Sequence, residues 1–397
     1  MSLALPTAAL AVLTPLAALV AVSWGSGAEA VAGGRSTETA TIVLLLLAVS
    51  FAAYMSALAV LRKGARLAAV VVCACVIQLL PLGAPLLLST DAWSYWAYGW
   101  QATHGNDPYR DPPATRPDNP ALPWMGEAWR ETSSVYGPVF TALSEPVALA
   151  AGTSPDRAAW LFKTLAAAAT LAAAFFAARR SSRPAFAAAV VGWNPLLAVH
   201  AAGGGHNDAL VGALLAAALA AAAAGRSRPA ALLWPPAVLV KWIAAPVLLL
   251  AAAARWSRTR RPVTRADVAA AGMAIAGSFA LYGTGWLESF VPLAANAARE
   301  TSYAFPARLE QLGLPRWAAI AAGIGLILVA LAWLTVLAAR GRPRYGLSCC
   351  ALLVGTPYLA VWYLAWALPV VAGDDDGWAL AVALALSVYL LPQTIPT

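Results

Sequence analysis

The chain has 397 residues, 61% of them hydrophobic and only 11% charged, where a soluble domain carries about 25% charged residues. A water-soluble fold of this size cannot hide so much apolar surface, so its solvent is lipid. The net charge of +8 does not point to nucleic acid, because the arginines gather in short links between apolar runs, the signature of cytoplasmic loops in a membrane protein.

The first apolar run, 3–23, lacks a basic leader region and reads as a span, not a cleaved signal. Further runs lie at 41–61, 67–88, 136–152, 158–178, 185–201, 209–224, 230–253, 266–283, 315–339, 345–372 and 377–393. None alternates with period two, which predicts helices and excludes a β-barrel. Five basic clusters separate them: Arg62/Lys63/Arg66, Arg179/Arg180/Arg183, Arg226/Arg228, Arg255/Arg258/Arg260/Arg261/Arg265 and Arg340/Arg342/Arg344. All five are expected in the cytoplasm. Cys73, Cys75, Cys349 and Cys350 fall inside predicted spans, so no disulfide framework is expected.

Strict alternation of twelve spans does not satisfy these clusters, so two runs must enter and leave on one side. Run 136–152 is short and carries Glu145 before Pro146, and a carboxylate at mid-membrane costs about 3 kcal/mol. Run 230–253 contains Trp234-Pro235-Pro236, Lys241 and Pro246. Paired prolines break a helix, which predicts a hairpin entering from the cytoplasm. The expectation is an all-α polytopic integral membrane protein, one domain over 1–397, with about ten full spans and two broken or re-entrant helical segments. Loop 89–135, the turn Gly203–Asp208, loop 284–314 and the outer half of 345–372 then share the outer face. No P-loop and no Gly-x-Gly-x-x-Gly opening a helix is found, which argues against ATP-driven chemistry.

Asp91 follows an apolar run and heads a Trp- and Tyr-rich amphipathic stretch that includes Tyr95, suited to the headgroup zone. Its carboxylate can take a proton from a hydroxyl if burial holds its pKa near the working pH. It reads equally as a helix N-cap. Asn106-Asp107-Pro108-Tyr109 is turn chemistry or a ligand contact. Tyr136, in Tyr136-Gly137-Pro138, is a stacking platform or a member of the aromatic belt.

Gly203-Gly204-Gly205-His206-Asn207-Asp208 is the most informative turn. Glycines allow close approach to a ligand, and a helix N-terminus favours phosphate, with His206 as a further donor. The alternative is a tight turn capped by Asn207 or Asp208. Lys163 near an outer span end, and Lys241 within the hairpin, are functional cations or snorkelling ones. Arg299, Glu300, Tyr303 and Arg308 supply phosphate contacts or a solvated loop face. Tyr358, Trp362 and Tyr363 form an aromatic patch for a sugar or lipid chain, or ordinary packing. Asp374-Asp375-Asp376 is placed in a short outer turn before the last span. No His/Cys spacing for zinc occurs, and neither metal site nor cofactor is predicted.

Taken together, Asp91-x-x-x-Tyr95, Asp107-Pro108-Tyr109, Tyr136-Gly137-Pro138 and Gly205-His206-Asn207-Asp208 resemble the polyprenyl-phosphomannose-dependent α-1,6-mannosyltransferases of actinobacteria (the MptA/MptB type) over about residues 85–370. The resemblance implies the GT-C fold of integral-membrane glycosyltransferases, a polyprenyl-phosphate-mannose donor and a glycolipid or mannan acceptor. It also implies a plasma-membrane location with the site facing outside. Asp91 would be the base of an inverting transfer, and His206, Asn207, Asp208, Lys163, Arg299 and Arg308 would hold the donor phosphate. Tyr95, Asp107, Tyr109, Tyr136, Tyr358, Trp362 and Tyr363 would contact substrate. A flippase for lipid-linked sugars, or a secondary transporter, is the alternative, though transporters tend to show internal repeats, and none is evident.

Overall fold

Polar residues at the ends of apolar runs set where the helices start and stop. The computed structural model describes residues 4–24, 37–297, 301–393 and 395, and no β-strand forms among them. Arg299 and Glu300 lie outside the described residues. Helices α1 (Ala4–Val22), α2 (Thr37–Leu61) and α3 (Leu67–Leu79) come first. Then α4 (Asp91–Thr103), α5 (Glu127–Arg130) and α6 (Pro138–Ala151) occupy the long loop and the run after it. Next come α7 (Pro155–Arg180), α8 (Pro184–Gly192), α9 (Asp208–Ala223), α10 (Ser227–Val240), α11 (Ala245–Thr259) and α12 (Arg265–Tyr282). The remainder is α13 (Phe290–Ala297), α14 (Phe305–Gln311), α15 (Arg316–Ala339), α16 (Tyr345–Gly355), α17 (Leu364–Gly373) and α18 (Gly377–Leu390). Ser154 caps α7, with Pro155 at its first position, and Thr264 and Asp267 form a reciprocal capping box on α12, each satisfying amides that the helix leaves open.

The basic clusters converge at one end of the bundle. Arg62 and Arg183 both lie over the Phe186 ring. Arg180 pairs with Asp374 and lies over Tyr345. Arg344 grips Asp376 through two 2.8 Å bonds, and Arg255 pairs with Asp267. The other end gathers the polar stretches. There Trp24 donates to the Gly83 carbonyl at 2.8 Å, Leu87 N–H to Gly203 at 3.1 Å, and Trp93 to Pro155 at 3.0 Å. Arg110 reaches Glu288 and Thr284.

This arrangement corrects two expectations. Run 345–372 is not one span: α16 ends at Gly355, Thr356 precedes Pro357 and is extended, as pre-proline residues prefer, and α17 returns to the arginine end. Asp374–Asp376 therefore sits among the arginines, not in an outer turn. Asp375 also accepts from Ser181 and from the Ser182 amide.

Secondly, the proline pair does not break the second hairpin. Pro235 and Pro236 lie inside α10, and the chain leaves the helix at Lys241, whose backbone is extended at φ −155°. The freed Val240 carbonyl accepts from Gly137 N–H at 3.2 Å. Among the described residues, four helices are long and apolar enough to cross a membrane: Leu5–Val22, Ala40–Leu61, Pro155–Arg180 and Arg316–Ala339. Arg265–Tyr282 with Gly285–Ala295, bent by 96°, would make a fifth. The ten spans expected from run lengths are not confirmed by helix length, because breaks near Pro81, Asn194-Pro195, Lys241 and Pro357 shorten the other helices. Run 136–152, by contrast, keeps both ends at the polar end, and its Glu145 accepts a hydrogen bond from Tyr282 Oη.

Candidate active site

The polar end holds a cavity of about 330 Å³ lined by Asp91, Trp129, Tyr136, Lys241, Trp242, Thr356, Tyr358, Trp362, Tyr363 and Trp366, with apolar neighbours such as Val135 and Leu293. Three breaks in the bundle contribute: the start of α4, the α10–α11 tip and the α16–α17 tip.

Asp91 is the first residue of α4, and Thr90 is the N-cap. The carboxylate does not cap its helix. Its Oδ2 instead stands 3.4 Å from Nδ1 of His206, while the side chain keeps 16% exposure toward the cavity. This contact is long, and neither His206 ring nitrogen makes a hydrogen bond of normal geometry. The imidazole is fully buried and stacked on Trp362, with ring centroids 4.0 Å apart. Burial pushes the Asp91 carboxyl up, but His206, Lys241 and the Ser89 hydroxyl outweigh this and hold it below the usual carboxylate range.

Lys241 occupies the hairpin tip because two partners hold its ammonium. Asp208, 1% exposed, receives Nζ at 2.9 and 3.0 Å, and the Tyr363 ring lies 4.4 Å beneath it. A lysine has three N–H donors and Asp208 takes at most two, so one faces onward. Sequence reasoning left Lys241 balanced between function and snorkelling. Its signal was a cation in a hairpin, five residues after a proline pair, with a carboxylate elsewhere to match.

The triple glycine serves the packing of the protein on itself. A Cβ at Gly203 would meet the Val199 carbonyl at 2.4 Å, and one at Gly204 the His200 carbonyl at 2.5 Å. Gly205 has φ +69° and lies against Ala92 and Lys163. The turn thereby seats His206, Asn207 and Asp208 behind Asp91 and Lys241, all buried and none on the cavity wall. The α9 N-terminus is likewise buried, unlike the open phosphate cradle expected.

Other expected residues separate. Tyr136, Tyr358, Trp362 and Tyr363 line the cavity, and Tyr95 packs edge-to-face on Tyr136 at 5.0 Å. Lys163 is buried away from the cavity, its Nζ bonded to the Ala84 and Pro85 carbonyls at 2.5 and 3.2 Å. Asp107 accepts from Tyr109 N–H and abuts Gly285, while Tyr109 bonds Thr141 at 2.7 Å. Both fasten the loop onto the start and end of other helices. Arg308 bonds Tyr389 and Gln311 and lines a different hollow. Trp129, Trp242, Thr356 and Trp366 line the cavity without having been singled out, since a lone aromatic in an aromatic-rich chain carries little signal. Among the described residues no group of three His, Cys, Asp or Glu side chains is arranged to hold a metal.

Trp242 also faces a second, apolar groove of about 790 Å³ between α10, α11 and α12. It runs from Trp242 and Trp286 to Arg255 and Asp267 at the arginine end.

Compared with known proteins, residues 3–258 match the model of the MptA_B family, described as alpha-(1->6)-mannopyranosyltransferase, N-terminal domain. No curated protein and no solved structure matches the chain.

Proposed function

The chain belongs to this family of alpha-(1->6)-mannopyranosyltransferases, and from that premise we propose that it moves mannose from polyprenyl-phosphate-mannose to a mannan-type or glycolipid acceptor at the outer face of the plasma membrane, with inversion. The observation that carries the reading is the cavity with one carboxylate, one lysine ammonium and a ring of aromatics, which shares the wall residue Trp242 with a long apolar groove. That combination suits a ligand with a charged head, a sugar and a lipid tail.

In the proposed reaction Asp91 receives the proton of the acceptor hydroxyl as that oxygen bonds to the anomeric carbon. The bond from that carbon to the donor phosphate breaks, and its electron pair leaves on phosphate. A carboxylate held below its usual range is a weak base, so proton transfer comes late, once bond formation has made the hydroxyl acidic. Phosphate is a good leaving group and needs no general acid. Lys241 neutralises the charge growing on it, acting from a fixed position on the cavity wall. His206, touching Asp91 from behind, keeps the carboxylate ionised and oriented. Asp208 holds Lys241 at the tip. The alternating directions of the helices between arginine end and polar end support a GT-C architecture with the cavity outside.

The test is purified protein with radiolabelled polyprenyl-phosphate-mannose and a soluble mannoside. Labelled, lengthened mannoside supports the proposal. Sugar carried intact across a vesicle bilayer, with no transfer, would support the flippase reading instead.

A further inference from the structure

A hollow of about 260 Å³ lies beside Trp129, between the 129–133 segment and α13. Trp129 is a wall of both this hollow and the Asp91 cavity. Glu131, Thr132 and Ser133 line one side, and Val291 and Pro292 the other. The polar wall is held in place: Tyr98 Oη donates to the Thr132 carbonyl at 2.8 Å, and the following Ser134 N–H donates to Pro108 at 2.8 Å. Thr132 Oγ1 donates to Ala128 at 2.7 Å, which leaves its lone pairs free to accept.

We propose that this hollow is an acceptor subsite, binding the saccharide unit next to the one whose hydroxyl is mannosylated; the proposal rests on the mannosyl-transfer reading above. The three cavities differ in chemistry, and each fits a different part of the reacting pair. The long groove is almost wholly apolar and fits a lipid chain. The Asp91 cavity carries the ammonium and fits a phosphorylated sugar. Among the described residues, those that line the outer hollow offer a carboxylate and hydroxyls, which suit neither a phosphate, repelled by Glu131, nor a lipid tail. An indole wall, a carboxylate and two hydroxyls suit a pyranose. Its C–H face packs on the ring, and its hydroxyls donate to the carboxylate through charge-assisted bonds. The shared Trp129 puts neighbouring units of one glycan on either side of a single side chain. Glu131 and Trp129 thereby set acceptor length.

The experiment compares two acceptors, octyl α-mannoside and its mannosyl-mannose disaccharide analogue, with polyprenyl-phosphate-mannose as donor. It reads the ratio of kcat/KM values, disaccharide over monosaccharide, for wild type, Glu131→Gln and Trp129→Leu. Wild type is expected to favour the disaccharide. Glu131→Gln is expected to cut that ratio about tenfold, the size of one lost charge-assisted hydrogen bond, through KM for the disaccharide. Glu131 is exposed, so this variant folds even where Trp129→Leu does not. Equal ratios in wild type and Glu131→Gln, or a wild type with no preference, overturn the subsite. Transfer to neither acceptor by wild type overturns the mannosyl-transfer reading itself.

Discussion

Replacing Lys241 by methionine separates the cation's two roles. The change keeps length and bulk but leaves Asp208, 1% exposed, without the ammonium that meets both its oxygens at 2.9 and 3.0 Å. Breaking a buried pair from one side costs about 3–5 kcal/mol. The Lys241 side chain is 20% exposed, so the lower figure, about 3 kcal/mol, applies. Adding Asp208→Asn removes the stranded charge and should recover most of that loss, giving a strong coupling in the double-mutant cycle. Catalysis should not recover. Losing one preorganised charge-stabilising donor typically lowers kcat about a hundred- to a thousandfold. Thermal unfolding in detergent and initial transfer rates measure the two effects on the same samples. The expected pattern is a destabilised, inactive single variant and a stable, still inactive double variant. A double variant that regains wild-type kcat would refute the assignment of Lys241 to the leaving phosphate.

Three further outcomes follow from the geometry. With Cys73 and Cys75 replaced, Thr115→Cys should react with an impermeant thiol reagent in intact cells, and Gly377→Cys only after lysis; labelling of both from outside would put the Asp374–Asp376 turn on the wrong face. Gly137→Ala places a Cβ 2.0 Å from the Leu239 carbonyl, and such overpacking costs about 1–3 kcal/mol. It should lower both the unfolding temperature and kcat by shifting the Lys241 tip, whereas Gly277→Ala, with nothing within 4 Å, should do neither. Because Asp91 is held below the usual range, and a base works deprotonated, kcat/KM should already have finished rising above about pH 5, given an ordinary aspartate near 3.9. An acid limb near pH 6 would assign the base to another group.

Much of this was legible because lipid enforces simple rules. The five basic clusters share one end, and Asp91, His206 and Asp208 share the other, as positive-charge placement implied. The signals that misled were local. Pro235-Pro236 looked like a helix break, yet the helix ends at Lys241, where Gly137 and Asp208 supply partners from distant parts of the chain. Run 345–372 read as one long span because Thr356-Pro357 is a brief interruption in an apolar stretch, and this error reversed the placement of Asp374–Asp376. The glycines before His206 were read as room for a ligand, but they make room for Leu87, Ala92 and Lys163. Lys163 itself looked like an intramembrane functional cation, and only the fold reveals the two carbonyls that occupy it. Apart from the Thr356-Pro357 break, these misses turn largely on contacts between residues far apart in sequence, which no local pattern encodes.

The measurement closest to the central claim is the transfer rate of Asp91→Asn. The carboxylate lines the cavity and caps nothing, so the amide should leave folding intact while removing the base. General-base catalysis contributes about a hundred- to ten-thousandfold, equivalent to roughly 3–5 kcal/mol of barrier. The account predicts a folded variant with wild-type KM for polyprenyl-phosphate-mannose, whose kcat falls by at least about a hundredfold. A folded Asp91→Asn that still transfers mannose at near wild-type rate would contradict it.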